Sequence, residues 1–214
     1  MGQRSQIYLR FNDVDGKKHL VARYYQWNYG ERMLSRARGI IEWLEGYKDY
    51  PSYLIKDNCM QEKIRRIMDT NFDYKDIVLG QDIIKEYLEY GKGEDFEQFV
   101  FAGQDNNDGQ LFIDMVADYD HRTDKGDPKV VFKYAFRTYE DDDWKPMDPE
   151  QYMDWDYDDW RTSEYMKDAV KLTERNIRWI EKHAKLMTSD EMFEFAHCNY
   201  VKDMGLEVQN VRSD

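Results

Sequence analysis

The spacing of apolar positions changes several times along the chain, and each change predicts an element. "QIYLRFN" and "HLVARYYQW" alternate apolar and polar side chains, the period of a strand, and "DVDGKK" between them carries an Asp-Gly turn. These two segments are expected to form a β-hairpin. "GERMLSRARGIIEWLEG" then places Met33, Ala37, Ile40, Ile41 and Leu44 on one face of a helix that ends near Gly46. "CMQEKIRRIMDT" repeats the helical spacing with Met60, Ile64, Ile67 and Met68, and "GQDIIKEYLEYG" is a short helix between two glycines.

"FEQFVFAG", the turn "QDNNDG" and "QLFIDMVADYD" are expected to form a second hairpin, and "KVVFKYAFRTY" a fifth strand. The longest predicted helix is "WRTSEYMKDAVKLTERNIRWIEKHAKLM", with Met166, Val170, Thr173, Ile177, Ile180, Ala184 and Met187 as its apolar stripe. "TSDE" resembles a capping box that opens a last helix, closed by Gly205. The sum is an α+β fold: a mostly antiparallel sheet of about five strands with about five helices packed on it. With no internal repeat and no Pro/Gly/Ser linker, residues 1–205 form one domain and 206–214 a loose tail.

Composition changes this picture in one respect. The 214 residues carry a net charge of -13. Residues 140–160, "EDDDWKPMDPEQYMDWDYDDW", hold ten carboxylates and one lysine, so -9 of that charge lies in one short segment. The same segment holds three tryptophans and two tyrosines. Phosphates repel an acidic protein, so direct binding of duplex DNA is not expected, and a basic protein or ribonucleoprotein is the natural partner. The two cysteines, Cys59 and Cys198, are far apart and form no CxxC, which fits a reducing cytoplasm. No apolar run reaches 18 residues and the start has no apolar h-region, so neither a membrane span nor a signal peptide is expected.

The usual catalytic motifs are missing. "DWDYDD" has the alternating aspartates of a calcium loop, but Asp159 stands where that loop needs Gly and Tyr165 where it needs Glu. Asp118, Asp120 and His121 are a weak candidate for a divalent ion, set against ordinary surface side chains. There is no HExxH, no GxSxG, no GxxxxGK[ST] and no GxGxxG. No metal and no cofactor are expected. Arg4, Arg10, Arg23, Arg32 and Arg36 form a candidate anion-binding group, because arginine holds phosphate or carboxylate by paired contacts. Internal pairing with the abundant acids is the competing reading, and it is favoured.

The start, "MGQRSQIYLRF" followed by "ARYYQWNYGERMLSRARGIIEWL", resembles small uncharacterised proteins of phages and mobile elements of Gram-positive bacteria. Those proteins share an MG-x-R-S start and a YYQWNYGE-like segment running into a helix, and some proteins of that setting are anti-CRISPR inhibitors of Cas9. The resemblance covers about 45 of the 214 residues. It implies a phage origin and a bacterial host cytoplasm, and it assigns no site residues. The same stretch is faintly similar to the opening of N-terminal-nucleophile amidohydrolases, but Gly2 has no side chain to attack with.

Charge and aromatic content together single out Asp141, Asp142, Asp143, Asp154, Asp156, Asp158 and Asp159 as carriers of charge, and Trp144, Trp155 and Trp160 as anchors. The expected function is a non-enzymatic anti-defence protein. It would occupy the nucleic-acid channel of a basic protein, with a CRISPR-Cas effector as the leading candidate. The alternatives are an enzyme acting on a phosphate-bearing substrate such as RNA through the arginines, and a homo-oligomeric phage accessory protein.

Overall fold

A computed structural model describes residues 4–46, 59–70, 81–91, 93–103, 108–122, 128–138 and 144–206. The first hairpin forms as expected: β1 (Arg4–Asn12) pairs antiparallel with β2 (Lys18–Gln26), with Leu9 opposite Val21. Helix α1 (Glu31–Glu45) follows and buries Met33, Leu34, Ala37, Ile40, Ile41 and Leu44. Next come α2 (Cys59–Met68), a two-residue strand β3 (Gln81–Asp82) and α3 (Ile83–Tyr90), whose first turn is capped by the Asp82 carboxylate. After a π-helical turn, Gln98–Ala102, come the two long strands β4 (Gln110–Arg122) and β5 (Pro128–Arg137). The chain ends with α4 (Pro149–Asp156), α5 (Val170–His183), a short strand β6 (Lys185–Leu186), α6 (Ser189–His197) and α7 (Tyr200–Asp203).

The α+β class holds, but among the described residues the sheet is mixed and has six strands, in the order β3-β2-β1-β4-β5-β6. β1 runs parallel to β4 and β5 parallel to β6, and the other neighbours are antiparallel. Both faces are covered. Ile7, Leu9, Val21, Ile113 and Phe136 face a layer made by α1, α2, α4 and α5. Tyr8, Leu20, Phe112 and Ala135 face α3, the π-helical turn, α6 and α7. Burial on both faces is why residues 5–11 are inaccessible without interruption.

Two expected elements are corrected. "FEQFVFAG" is no strand, because β4 is flanked by β1 and β5 and has no edge left for it. Asp95 accepts from the Gln98 N–H at 2.9 Å, and the wide turn that follows sends Phe96, Val100 and Phe101 into the second core. The long helix is also shorter than its apolar stripe suggests. Residues 157–169 are turns, α5 begins at Val170, and Ala184 leaves the helix in extended form so that Lys185 can pair with β5. Ala184 therefore lies in the first core and Met187 in the second, on opposite sides of the sheet edge. The expected tail, 206–214, lies outside the described residues except for Leu206. The predicted capping box is present: Thr188 Oγ1 accepts from the Glu191 N–H, and Glu191 accepts from the Thr188 N–H.

Candidate functional site

The acidic crossover is the strongest candidate, and its geometry follows from how it is tied down. Met147 exchanges two backbone hydrogen bonds with Phe136, at 3.0 and 2.8 Å, which docks the crossover beside β5. Asp148 then caps α4, accepting from the Gln151 N–H at 2.8 Å, and Pro149 fits the first turn. The Asp148 carboxylate is thus used for structure.

The aromatic residues of the segment turn inward. Tyr152 is fully buried, and its ring stacks on Phe136 at 4.8 Å. Its hydroxyl donates to the Asp108 carbonyl at 2.7 Å and accepts from the Gly30 N–H at 3.3 Å. Trp155 is half-buried and stacks against Tyr152. Trp160 is 1% exposed, with its indole N–H donating to Asp154 Oδ1 at 3.1 Å and the Arg161 guanidinium lying 4.2 Å above the ring. Trp144 is half-buried beneath the Arg137 guanidinium, 4.1 Å away, and against Phe101 and Phe112. Trp160, expected as an anchor for a partner, is therefore a core residue. Indole rings carry so much apolar area that an available core claims them first.

The carboxylates divide into two groups. Asp154, Asp158 and Asp159 are exposed. Asp159 has a positive φ of 50°, and its carbonyl accepts from the Thr162 and Ser163 N–H groups, so the turn that presents it is internally bonded. Both oxygens of Glu150 contact Arg161 Nη2, at 2.6 and 2.5 Å. Asp156 points inward. Its Oδ2 is shielded from water and has no hydrogen-bond partner among the described residues. It packs where a side chain on Gly30 would stand, 2.7 Å from the ideal Cβ position, beside the Tyr157 ring. Gly30 (φ 49°) accordingly tolerates no larger residue. Burial, followed by the charges of Asp108 and Glu31, pushes the Asp156 pKa up to about 7. Asp108 is also raised, mainly by burial, while the Arg4 N–H bonded to its Oδ2 opposes the shift. Asp141, Asp142 and Asp143 lie outside the described residues.

The five arginines are not gathered. Arg10 is 3% exposed on the second face of the sheet, held by Asp114 through two bonds of 3.0 and 2.6 Å and by Glu194 at 2.5 Å. Arg23 lies on the opposite face, paired with Asp69 and, at 3.5 Å, Asp82. Arg36 is buried under α1. It donates to Asn28 Oδ1 and to the carbonyls of Met68 and Thr70, where α2 ends, with its guanidinium 4.6 Å above the Tyr25 ring. Arg32 donates to the Trp27 carbonyl and lies over Tyr29, and Arg4 stands at the start of β1 beside Asp108. Acids distant in sequence pair with Arg10 and Arg23, while Arg32 and Arg36 donate to amide and carbonyl oxygens.

The remaining chemical side chains are also engaged. His19 bonds Asp13, His183 bonds Glu45, and His197 bonds the Phe193 carbonyl and pairs with Glu97. Burial pushes the Cys198 thiol up. Asp118 Oδ1 accepts from the Asp120 N–H, and the His121 side chain is outside the described set. Among the described residues no three His, Cys, Asp or Glu side chains are arranged to hold a metal ion, and no helix is long and apolar enough to cross a membrane.

With this geometry in place, the chain can be compared with known proteins: no family model, no curated protein and no solved structure matches it. The fold and site therefore define it only as an α+β protein with a mixed six-stranded sheet and an acidic crossover between β5 and α5.

Proposed function

We propose that the chain is a non-enzymatic docking protein whose acidic crossover binds a basic nucleic-acid-handling protein, the effector complex of a CRISPR system being the leading candidate. The observation that carries this reading is the outward set of Asp154, Asp158 and Asp159 on a crossover clamped from beneath by Tyr152 and Trp160. Duplex DNA presents one charge per roughly 1.7 Å of axis, and a helix rises about 1.5 Å per residue, so closely spaced carboxylates on a helix and turn approach phosphate density within an order of magnitude. The inward tryptophans change the mechanism expected from composition. Charge and shape, rather than stacked aromatics, would occupy the partner's groove. The enzyme alternative needs arginines that converge, and Arg10, Arg23 and Arg36 instead serve separate internal contacts.

The test is binding of the purified protein to a CRISPR effector with its guide RNA. Complex formation should weaken steeply between low and high salt. The double variant Asp158→Lys, Asp159→Lys should lose binding while keeping its melting temperature. Binding that ignores salt, or that survives the double variant, overturns the proposal.

A further inference from the structure

The outward face of α5 carries Lys171, Arg175, Arg178 and Lys182, all exposed. Steps of four, three and four residues place them in one narrow stripe. This is unusual in a chain where acids outnumber Lys and Arg by 44 to 31. Cations on other helices find acids one turn away, as Arg38 does with Glu42, Arg66 with Glu62 and Lys85 with Glu89. Lys171, Arg175 and Lys182 have no such partner among the described residues, and Arg178 reaches Glu174 only at 3.9 Å. Directly before the stripe, the chain presents Asp158, Asp159 and Asp168, and between them Tyr165 is 96% exposed. Arg161 joins the two regions, bonding Glu150 of α4 and lying 3.8 Å from Glu174 of α5.

A surface with an acidic half beside a basic half is complementary to itself. Rotating a second copy by 180° so that the two α5 helices run antiparallel sets the acidic turn of each copy beside Arg178 and Lys182 of the other. One contact made twice is the common form of a dimer interface. A long polyanion would meet the same stripe, but it would also run against the exposed Asp158, Asp159 and Asp168 beside it, which repel it. A second copy brings its acids already matched to the cations. We infer that this face is a homodimer interface, in which the basic stripe of α5 receives the acidic turn of a second copy and Tyr165 is the aromatic anchor. The dimer covers Asp158 and Asp159, so self-association and docking of a basic partner compete for the same carboxylates. In that respect the inference rests on the docking reading, although the dimer itself does not need the partner. α5 has 14 residues and is therefore about 21 Å long, so with the turn the contact is a small one and its association should depend strongly on salt.

The experiment is analytical ultracentrifugation of the isolated protein at low and high salt. A dimer at low salt that dissociates at high salt is expected. Arg178→Glu with Lys182→Glu should be monomeric, and so should Asp158→Lys with Asp159→Lys. Mixing these two variants should restore a dimer, because both contacts are again complementary, and this also shows that both variants are folded. A wild-type protein that stays monomeric at low salt and at about 100 µM overturns the inference. So does a dimer that persists in both separate variants. Single-stranded RNA oligonucleotide binding to the wild type and lost on Arg178→Glu with Lys182→Glu would assign the stripe to a polyanion instead. No partner protein is present, so failure here leaves the docking proposal standing, and failure of that proposal leaves a dimer intact.

Discussion

The interior position of Asp156 makes stability depend on pH in a way that one substitution should remove. A carboxyl whose pKa is higher in the folded chain than in the unfolded chain holds its proton more tightly when folded. Its favourable effect is complete below the unfolded value, near the ordinary 3.8, and is lost as pH rises through the folded value of about 7. Above that the loss is constant. A difference of about three pKa units corresponds to ~4 kcal/mol, and relaxation of the chain around the charge brings this to ~2–4 kcal/mol. Burial is the first cause, and the carboxylates of Asp108 and Glu31 add to it. Tyr152 and Tyr157, whose hydroxyls are raised by the same burial, stay neutral across this range and supply no compensating positive charge.

Asp156→Asn keeps the shape and removes the charge. Near pH 8 the variant should be more stable by most of that amount, which for a chain of this size raises the melting temperature by roughly 4–16 °C. Near pH 4 the two proteins should melt within a degree or two of each other, and the difference should grow steadily from there to about pH 7. Other carboxyls, such as Asp13 and Glu191, are held below their usual range and push stability the opposite way with pH. They are common to both proteins, so the difference between the melting curves reports Asp156. Thermal unfolding followed by circular dichroism from about pH 4 to about pH 8.5 measures it. Equal displacement of the two curves at every pH would refute the placement of a charged carboxylate against Gly30 and the Tyr157 ring.

Other outcomes follow from single contacts. Arg10→Ala leaves Asp114 buried without its counterion and should cost about 3–5 kcal/mol in urea unfolding, whereas Arg10→Met combined with Asp114→Leu should recover most of the loss. Trp160→Ala empties a core position and should cost about 3–5 kcal/mol, in contrast to the exposed-aspartate variants, which should melt like the wild type. Thr188→Ala removes the cap of α6 and should lower stability by about 1 kcal/mol, measured in the same urea titration.

How much of this was legible in the sequence depended on the distance over which each feature is decided. The β1–β2 hairpin, the stripe of α1 and the Thr188 cap are set by residues within a turn or two of each other, and periodicity and turn chemistry are sufficient to read them. The parallel pairing of β1 with β4 was not legible, because alternation shows which face a side chain takes and not which way its neighbour runs. The adjacent apolar pair Tyr8 and Leu9 was the available hint that both faces of β1 are covered. The site was decided at longer range still. Arg10 meets acids 104 and 184 residues away, and Tyr152 meets Gly30 122 residues away. Composition located the acidic segment but could not separate Asp156, which turns inward, from Asp158, which does not.

Under the proposed role, that separation would make the crossover a better docking element than a solvated acidic loop. Like charges held close together repel, and a loop of free aspartates would spread to reduce the repulsion. Here Trp160 is fixed by its bond to Asp154 and by the Arg161 guanidinium above it, and Arg161 is fixed in turn by Glu150. Asp159 sits on a turn whose backbone is bonded to Thr162 and Ser163. The energy of burying the aromatic rings thus holds the outward carboxylates in place before any partner arrives. A docking surface ordered in advance loses less entropy on binding, and its repulsion is relieved when a basic surface covers it. The aromatic residues would then act on binding from beneath, by fixing where the charges stand. If the proposed docking holds, loosening Trp160 with a smaller apolar residue such as Leu should therefore weaken it as well as stability, although the buried indole would not itself touch the partner.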